Sequence, residues 1–332
     1  MKVLIRADAS VQIGTGHIMR TLVMAQRLSS LGRQVFFICS DLPGNLATYI
    51  EQKGFRVFLL PPFEHWMQDA EATKQVILKN FKEESLLLVV DHYGLDFKWE
   101  QYLRPYVAQI MVIDDLANRV HDCDRLLDQN FYLNLNERYQ GLVPPECQML
   151  LGPKHALLRP EFYRVKETLQ RRDGIVRRIL VFFGGSDPTN ETMKTLEAIA
   201  MLQPLEIAVD LVVGASNPNQ TAIKDVSSRF DNLVFHCQVE NMAELIGRSD
   251  LAIGAGGTTA LERCFLGLPA IVVTVAANQV ETVTALASAG ALINLGWWQQ
   301  VTATKVAQAL TDLICKPEQL LSMSAIGLSL FK

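Results

Sequence analysis

The feature that most constrains the fold is a repeated alternation of short, continuously apolar runs with longer amphipathic segments. The runs at 35–39 and 86–90 are apolar at every position. A strand with one face in water alternates polar and apolar residues, whereas a continuously apolar strand is covered on both faces. Between such runs lie segments with helical periodicity, such as 16–31. The pattern predicts an α/β fold in which a parallel sheet carries helices on both faces.

This alternation occurs twice and predicts two domains. It runs from the first residues to about 130, becomes irregular, and resumes at 179. The chain of 332 residues is long enough for two domains of ordinary size. Because 170–174 is a polar run, we predict a first domain over 1–172 and a second over 173–332. Both are expected to be Rossmann-like, and we expect the two to face a cleft that holds the substrate.

Composition argues against several classes of partner. Lys and Arg number 31 against 35 Asp and Glu, so the net charge of −4 offers no global attraction for nucleic acid. No apolar run approaches the roughly 18–20 residues of a membrane span, and residues 1–3 lead directly into a strand rather than a secretory leader. The six cysteines form no Cys-x-x-Cys pair, which is typical of reduced thiols. We expect a cytoplasmic monomer whose partner is a small molecule, with no nucleic acid and no membrane.

A glycine-rich turn follows the first strand and contains Gly14, Gly16 and His17. Glycines let the backbone approach a ligand closely, and ligands of parallel sheets bind at the carboxyl ends of the strands. A ligand-contacting histidine and a plain tight turn with a solvated histidine are both compatible with this pattern. The dinucleotide fingerprint is incomplete, because its third glycine position is occupied by Met19. NAD is therefore not expected, and a P-loop is absent because no Gly-Lys-Ser/Thr sequence occurs.

A second glycine-rich turn lies in the second half of the chain. It contains Gly256, Gly257, Thr258 and Thr259, and Glu262 follows in the first turn of the next predicted helix. Backbone and hydroxyl donors in such a turn can hold a diphosphate. The Glu262 carboxylate could accept hydrogen bonds from both ribose hydroxyls. A well-capped helix with an acidic residue near its positive end explains the same residues without a ligand.

Two polar side chains at other strand ends extend this hypothesis. Asn217 follows a strand and could donate to a phosphate or to uracil, or could belong to an ordinary turn. Gln279 opens a helix and could touch sugar hydroxyls or phosphate, although a plain helix cap explains it equally well. Strand-end acids such as Asp114 and Asp115 lack the spacing of a zinc site and are interpreted as turn residues. We expect neither a metal nor an organic cofactor.

Taken together, the motifs resemble the UDP-sugar hydrolase family of pseudaminic acid biosynthesis. They occur in the right order over nearly the full length of the chain, which makes the resemblance specific. The matching stretches are Arg6-x-Asp8-x-Ser10, Ile13-Gly14-x-Gly16-His17-Ile18-x-Arg20, Asp91-His92-Tyr93-Gly94, Gly141-Leu142-Val143-Pro144, Ala156-Leu157-Leu158-Arg159-x-Glu161-Phe162-Tyr163, Gly184-Gly185-x-Asp187 and Ser216-Asn217-Pro218-Asn219.

The resemblance implies a GT-B-like fold with the nucleotide held by the C-terminal domain. It also implies hydrolysis of UDP-2,4-diacetamido-2,4,6-trideoxy-β-L-altropyranose to UDP and the free sugar, with inversion and without a metal. By similarity His17 is the general base, Asn217 and Glu262 hold UDP, and Tyr93 lies near the sugar. Asp8 is close to His17 in sequence and is our candidate for orienting its imidazole.

A single base is chemically sufficient for such a reaction. Inverting glycosyl hydrolysis usually needs an acid as well, but UDP leaves as an anion and needs no proton. A histidine imidazole is largely uncharged at neutral pH and can take a proton from water. Two alternatives remain: a UDP-sugar glycosyltransferase of the same fold and a non-catalytic nucleotide-sugar-binding protein. The segment 60–67 is apolar but not basic, unlike the patch expected of a membrane-acting transferase, and this favours water as the acceptor.

Overall fold

The computed structural model describes residues 1–82, 85–202 and 206–332. In these residues the chain forms thirteen β-strands and twelve α-helices. The strands are β1 (Lys2–Ala7), β2 (Val35–Ser40), β3 (Arg56–Leu60), β4 (Leu86–Asp91), β5 (Gln109–Ile113), β6 (Arg125–Asp128), β7 (Gln148–Leu151), β8 (Arg178–Phe182), β9 (Ala208–Val213), β10 (Leu233–Cys237), β11 (Leu251–Ala255), β12 (Ala270–Thr274) and β13 (Ile293–Trp297).

Helices alternate with strands from β1 to β5 and from β8 to β13, as the sequence periodicity predicts, whereas no α-helix of the described residues separates β5, β6 and β7. The helices are α1 (Gly16–Ser30), α2 (Ala47–Gln52), α3 (Trp66–Asn80), α4 (Phe97–Leu103), α5 (Pro160–Thr168), α6 (Glu191–Ala200), α7 (Gln220–Ser227), α8 (Met242–Arg248), α9 (Thr259–Phe265), α10 (Val280–Ser288), α11 (Ala303–Ile314) and α12 (Pro317–Ser329). In the described ranges, none of these helices is both long enough and apolar enough to cross a membrane.

The chain divides into two compact units. Unit 1 comprises residues 1–130 and 134–158, and unit 2 comprises 131–133 and 159–332. In unit 1 seven parallel strands are ordered β3-β2-β1-β4-β5-β6-β7. The strand order reverses between β1 and β4, which pair directly with Ala7 opposite Asp91. Such a reversal opens a crevice at the carboxyl ends of the two strands.

Unit 2 repeats the same plan with six parallel strands. Their order is β10-β9-β8-β11-β12-β13, which is the dinucleotide-binding order, and the reversal falls between β8 and β11. Each sheet is buried by helices: two apolar clusters cover the two faces of the first sheet, and a large cluster covers the second. The predicted α/β class with two parallel-sheet units is confirmed.

The structure differs from the sequence prediction in the region that seemed irregular. Residues 130–172 contribute the edge strand β7 and the helix α5, and β13 is a further strand that the apolar pattern did not indicate. Both strands lack a continuous apolar run. Gln148 and Met149 of β7 are exposed, while Gly296 interrupts β13 where its pairing with β12 shifts register. The two units meet in sequence at Arg159, before the predicted boundary at 172, because α5 packs on α8 of unit 2.

A half-buried arginine, Arg172, links the ends of two helices in unit 2. The Arg172 guanidinium donates to the carbonyls of Ile246, Ser249, Leu266 and Gly267 at 2.6–3.0 Å. These carbonyls lie at the carboxyl ends of α8 and α9, where helices leave acceptors without partners. Burial lowers the pKa of Arg172 to about 10. A cation at this position also complements the negative ends of the two helix dipoles.

Candidate functional site

The turn before α1 is organised by one serine. The Ser10 hydroxyl accepts the amide N–H groups of Gln12 and Ile13, and its carbonyl accepts that of Gly14. Gly14 has a φ of +79°, a conformation that glycine adopts at little cost. Gly16 then begins α1, and a methyl group added to it would meet no atom within 4 Å. The turn places His17 in the first turn of α1, where the residue is 6% exposed.

His17 forms a short hydrogen bond with a carboxylate from the neighbouring strand. Its Nδ1 lies 2.6 Å from Oδ1 of Asp91, the last residue of β4. Burial would raise the pKa of Asp91, but the charge of Arg20 and the imidazole lower it to about 2. Because an ionised carboxylate only accepts, Nδ1 carries the proton and Nε2 of neutral His17 has a free lone pair. In the described part of the chain, no group makes a hydrogen bond with this Nε2.

The pair belongs to a closed network at the β1–β4 reversal. Arg20 lies one helical turn after His17 and donates from Nε and Nη2 to the two oxygens of Asp91, both at 2.6 Å. Its Nη1 donates to Asp115 at 2.7 Å, and the Tyr93 hydroxyl donates to the same carboxylate at 2.9 Å. The ring of Tyr93 contacts the His17 imidazole edge-on, with 4.6 Å between centroids. The network fixes the imidazole from both sides.

The acid that orients His17 is therefore Asp91, which corrects the prediction of Asp8. The Asp8 carboxylate instead accepts from the Arg6 guanidinium at 2.5 and 3.0 Å and from the Ser40 amide at 2.7 Å. Closeness in sequence was misleading, because the side chain nearest to His17 comes from the adjacent parallel strand. Asp8 serves to hold the buried charge of Arg6.

A second histidine–aspartate pair lies at the same reversal. Nε2 of His92 is 3.4 Å from Oδ2 of Asp8, and its Nδ1 accepts the amide N–H of Gly94 at 2.9 Å. The two pairs are reciprocal: His17 follows β1 and pairs with the last residue of β4, while His92 follows β4 and pairs with Asp8, the residue after β1. Both nitrogens of His92 are engaged, whereas one nitrogen of His17 is free. Of the two, only His17 is suited to take a proton from a substrate.

In unit 2 the predicted cradle follows β11 and is shaped by close packing. A methyl group on Gly254 would overlap the carbonyl oxygen of Phe182 in β8, and one on Gly256 would overlap Val283. The next residues lead into α9, whose N-cap residue Thr258 makes no side-chain cap hydrogen bond. The capped-helix explanation of this turn is thus not borne out for Thr258. Among the described residues, no acceptor is bound by the amide N–H groups of Gly257, Thr258 or Thr259.

Glu262 lies in the first turn of α9 and is buried. Its Oε1 is 3.4 Å from Nη2 of Arg159, the residue that precedes α5. Burial raises the pKa of Glu262, against the opposing charge of Arg159. The guanidinium also contacts Glu161 at 3.0 Å. Glu262 is thus a partly neutralised carboxylate close to the glycine-rich turn.

Gln279 hydrogen-bonds to the glycine-rich turn after β11 and does not cap a helix. Its Oε1 accepts the amide N–H groups of Gly256 and Val275, both at 3.2 Å. It precedes α10 but makes no side-chain cap hydrogen bond to that helix. The side chain therefore links the turn after β11 to the turn after β12.

Asn217 occupies the turn after β9 and is 5% exposed. Its Oδ1 accepts the Asn219 amide at 2.7 Å, while Nδ2 is buried without a partner among the described residues. The turn sits against the one after β8, because a methyl group on Gly214 would overlap the Gly185 carbonyl. A buried donor without an acceptor costs free energy and is typical of a site that a ligand completes.

Sequence reasoning identified the turns but missed the acids and bases that support them. Asp91, Arg20 and Asp115 were visible as strand-end acids and as an arginine three residues after His17. Their partnership could have been inferred only from the strand order that makes β1 and β4 neighbours. The ion pair between Arg159 and Glu262 could likewise not be predicted from the sequence. Asp114 behaves as interpreted, because its carboxylate accepts the amide of Ala117 at 2.8 Å in the turn after β5.

The fold defines the class of protein. A crystal structure of MurG from Acinetobacter baumannii superimposes with a TM-score of 0.67, 16% identity and coverage of 99% of this chain and 94% of that one. Residues 179–330 match the glycosyltransferase family 28 C-terminal domain. The chain therefore has the two-domain α/β fold of the GT-B glycosyltransferases.

Sequence relatives narrow the class to a family. The UDP-2,4-diacetamido-2,4,6-trideoxy-β-L-altropyranose hydrolase of Campylobacter jejuni subsp. jejuni serotype O:2 is 30% identical over 87% of this chain and 97% of the relative. The spore coat polysaccharide biosynthesis protein SpsG of Bacillus subtilis is 24% identical over 100% of this chain and 92% of the relative. The chain belongs to the family of the Campylobacter hydrolase.

Proposed function

We propose that this protein hydrolyses UDP-2,4-diacetamido-2,4,6-trideoxy-β-L-altropyranose to UDP and the free sugar, in the cytoplasm and within pseudaminic acid biosynthesis. Water attacks the anomeric carbon with inversion, and His17 takes its proton. Family membership supports the substrate, which is the one in the name of the Campylobacter relative. The observation that carries the mechanism is the His17–Asp91 hydrogen bond, which leaves Nε2 of His17 as a free acceptor.

Asp91 supports His17 both before and after it takes the proton. It fixes the tautomer before the reaction and stabilises the imidazolium that forms when Nε2 takes the proton of water. Positioned base catalysis of this kind contributes about 10²–10⁴-fold to the rate. Tyr93 contacts the imidazole and presents a partly exposed ring and hydroxyl. We propose that Tyr93 contacts the sugar. We propose that Gly16, which has no side chain, leaves room for the sugar beside His17.

The proposal assigns UDP to unit 2. Amide groups of Gly257, Thr258 and Thr259 are available to the diphosphate, and Glu262 is available to the ribose. The unpartnered Nδ2 of Asn217 is available to the uracil or to a phosphate. The diphosphate departs as an anion, so donors aimed at it stabilise the transition state without a general acid. Gln279 holds the Gly256 amide in place and is expected to face the bound diphosphate.

The direct test follows the UDP-sugar by NMR in the absence of any acceptor. We expect release of UDP and a free sugar whose first-formed anomer is inverted, at a rate that a chelator leaves unchanged. Release only after addition of a sugar or lipid acceptor would identify a glycosyltransferase instead. Tight binding without any turnover would identify a nucleotide-sugar-binding protein. Loss of activity on chelation would contradict the metal-independent mechanism.

His17→Asn is the matching mutational test. The amide cannot act as a base, so kcat is expected to fall by about 10²–10⁴-fold while UDP binding is retained. His236→Asn is the control, because His236 is also paired with an aspartate, Asp210 at 2.7 Å, but lies outside the assigned residues. The control is expected to keep wild-type turnover. Comparable turnover of the His17 variant would remove His17 from its proposed role.

A further inference from the structure

Unit 2 contains a buried arginine whose charge is left without a carboxylate. Arg263 lies on α9 directly after Glu262 and is 3% exposed. Its Nη2 donates to the carbonyl of Ala255 at 2.7 Å, and its Nε has no partner in the described part of the chain. No carboxylate of the described residues lies within ion-pair distance of it, since Glu262 pairs with Arg159.

Other buried or half-buried arginines of the molecule have their charge balanced in a different way. Arg6 contacts the carboxylates of Asp8 and Asp69, and Arg20 contacts two further carboxylates. Arg172 lacks an acid but donates to four backbone carbonyls. Arg263 has a single carbonyl. A buried charge is unfavourable unless it is paired and hydrogen-bonded. The described residues supply no anion for this cation, which indicates that a ligand supplies one.

The position of Arg263 indicates where that anion binds. Its guanidinium contacts the last two residues of β11: it donates to Ala255, and a methyl group on Gly254 would lie 2.9 Å from Nη1. Gly254 packs in turn on the Phe182 carbonyl, the last residue of β8. The strand order of unit 2 reverses between β8 and β11, and ligands of open parallel sheets bind outside the carboxyl ends of such a pair.

A second unpartnered donor belongs to the same edge of the sheet. Nδ2 of Asn217 is buried in the turn after β9, and that turn packs on the turn after β8 through Gly214 and Gly185. Thus two buried donors of unlike chemistry, a cation and an amide, lie at the carboxyl edge of the sheet, at β11 and at β9, the two strands that flank β8. Neither has an adequate acceptor in the described chain. Burial lowers the pKa of Arg263 to about 10, so the group is nevertheless charged at neutral pH.

We infer that Arg263 is the counter-charge with which unit 2 holds the diphosphate of its nucleotide ligand. The inference rests on the proposed function and deepens it, because it names the charge that distinguishes UDP from uridine at this site. Arg263 acts from beneath the turn, through the field of a desolvated cation, while the backbone amides of the turn make the hydrogen bonds. A cation in a site of low dielectric retains a strong interaction over several ångströms.

The test compares ligands that differ only in phosphate. Binding of uridine, UMP and UDP to the full-length protein is measured by calorimetry for wild type, Arg263→Met and Arg263→Lys. For wild type, affinity is expected to rise with each phosphate. Arg263→Met should weaken UDP by at least about tenfold and uridine by less than about twofold. Arg263→Lys should retain most of the preference for UDP, because it keeps the positive charge.

Arg172→Met is the matched control for structural effects. It removes a half-buried arginine of unit 2 that likewise has no carboxylate partner, and it is expected to affect UDP and uridine equally. If Arg263→Met does not fold, Arg263→Gln keeps a polar group without the charge and takes its place. Equal losses for UDP and uridine at Arg263, or unchanged UDP affinity, would overturn the inference. Failure of the proposed function is a separate result, in which wild type itself binds neither UDP nor uridine.

Discussion

The two units have closely similar sheet topologies, but the groups at the carboxyl ends of their strands differ. In unit 1 the reversal between β1 and β4 is filled with side-chain ion pairs, in which Arg20 and Asp91 support His17. In unit 2 the backbones of β8 and β11 approach closely at Gly254, and Gly256 packs beside them on the Val283 side chain. Paired charges fix the orientation of a reactive group, whereas exposed backbone donors suit an anionic ligand. The fold thus places a site at the carboxyl ends of the strands in both units, and the local sequence determines whether that site carries a reactive side chain or anion-binding backbone groups.

The largest expected effect on turnover comes from removing the carboxylate that pairs with His17 and Arg20 in unit 1. Asp91→Asn keeps the shape of the side chain but can donate to Nδ1 and so favours the wrong tautomer of His17. We expect kcat to fall by about 10³–10⁴-fold with little change in KM, as for the orienting acid of a catalytic triad. Steady-state kinetics on the UDP-sugar measure both parameters.

Asp8→Asn is the control for this prediction, because Asp8 is a buried acid of the same edge that holds Arg6 instead of His17. Thermal unfolding of both variants separates stability from activity. We expect Asp8→Asn to lower stability while keeping most of kcat. A loss of kcat at Asp8 equal to that at Asp91 would contradict the assignment of the orienting acid.

The glycine-built edge is tested by adding single methyl groups. Gly256→Ala forces an overlap with Val283, and we expect the free energy of unfolding of unit 2 to fall by about 3 kcal/mol. Gly257→Ala meets only Nε2 of Gln279 at 3.7 Å, an ordinary contact, and should leave stability nearly unchanged. Urea unfolding of the two variants provides the comparison. Equal destabilisation would show that the turn is not held by the packing described above.

The smallest expected effect concerns Asp128, a buried acid of unit 1 whose ion pair with Arg138 spans 3.3 Å. Burial, reinforced by the charge of Asp115, raises the pKa of Asp128 to about 7 although hydrogen bonds from Asn130 and Tyr139 oppose the shift. The folded protein then binds this proton more tightly than the unfolded chain. Its contribution to stability is complete below pH about 4 and is lost as pH rises toward about 7.

Asp128→Asn should remove this part of the pH dependence. Between pH 5 and pH 8 we expect wild type to lose about 2 kcal/mol more of its unfolding free energy than the variant does. Urea unfolding at the two pH values measures the difference. If both proteins show the same pH dependence, Asp128 is ionised in the folded state throughout this range.

Much of the fold was predictable because its signals are local. Apolar runs such as 35–39 and 86–90 identified buried parallel strands, and the turns at Gly16 and Gly256 were recognised from glycine spacing. The strands β7 and β13 escaped because an edge strand and a strand broken by glycine do not present an apolar run. The boundary between the units lies at Arg159 and not at 172, because α5 packs on α8, a contact that the composition of the chain does not reveal.

By itself, the sequence determined the class of fold, the two turns and the histidine, since each depends on residues that are neighbours along the chain. Only the tertiary structure decided which acid serves that histidine. Asp8 is nine residues from His17, and Asp91 is far along the chain, yet parallel pairing of β1 with β4 brings Asp91 to Nδ1. The same is true of the unpaired charge of Arg263, because an ion pair, or its absence, is a property of residues that only folding makes neighbours.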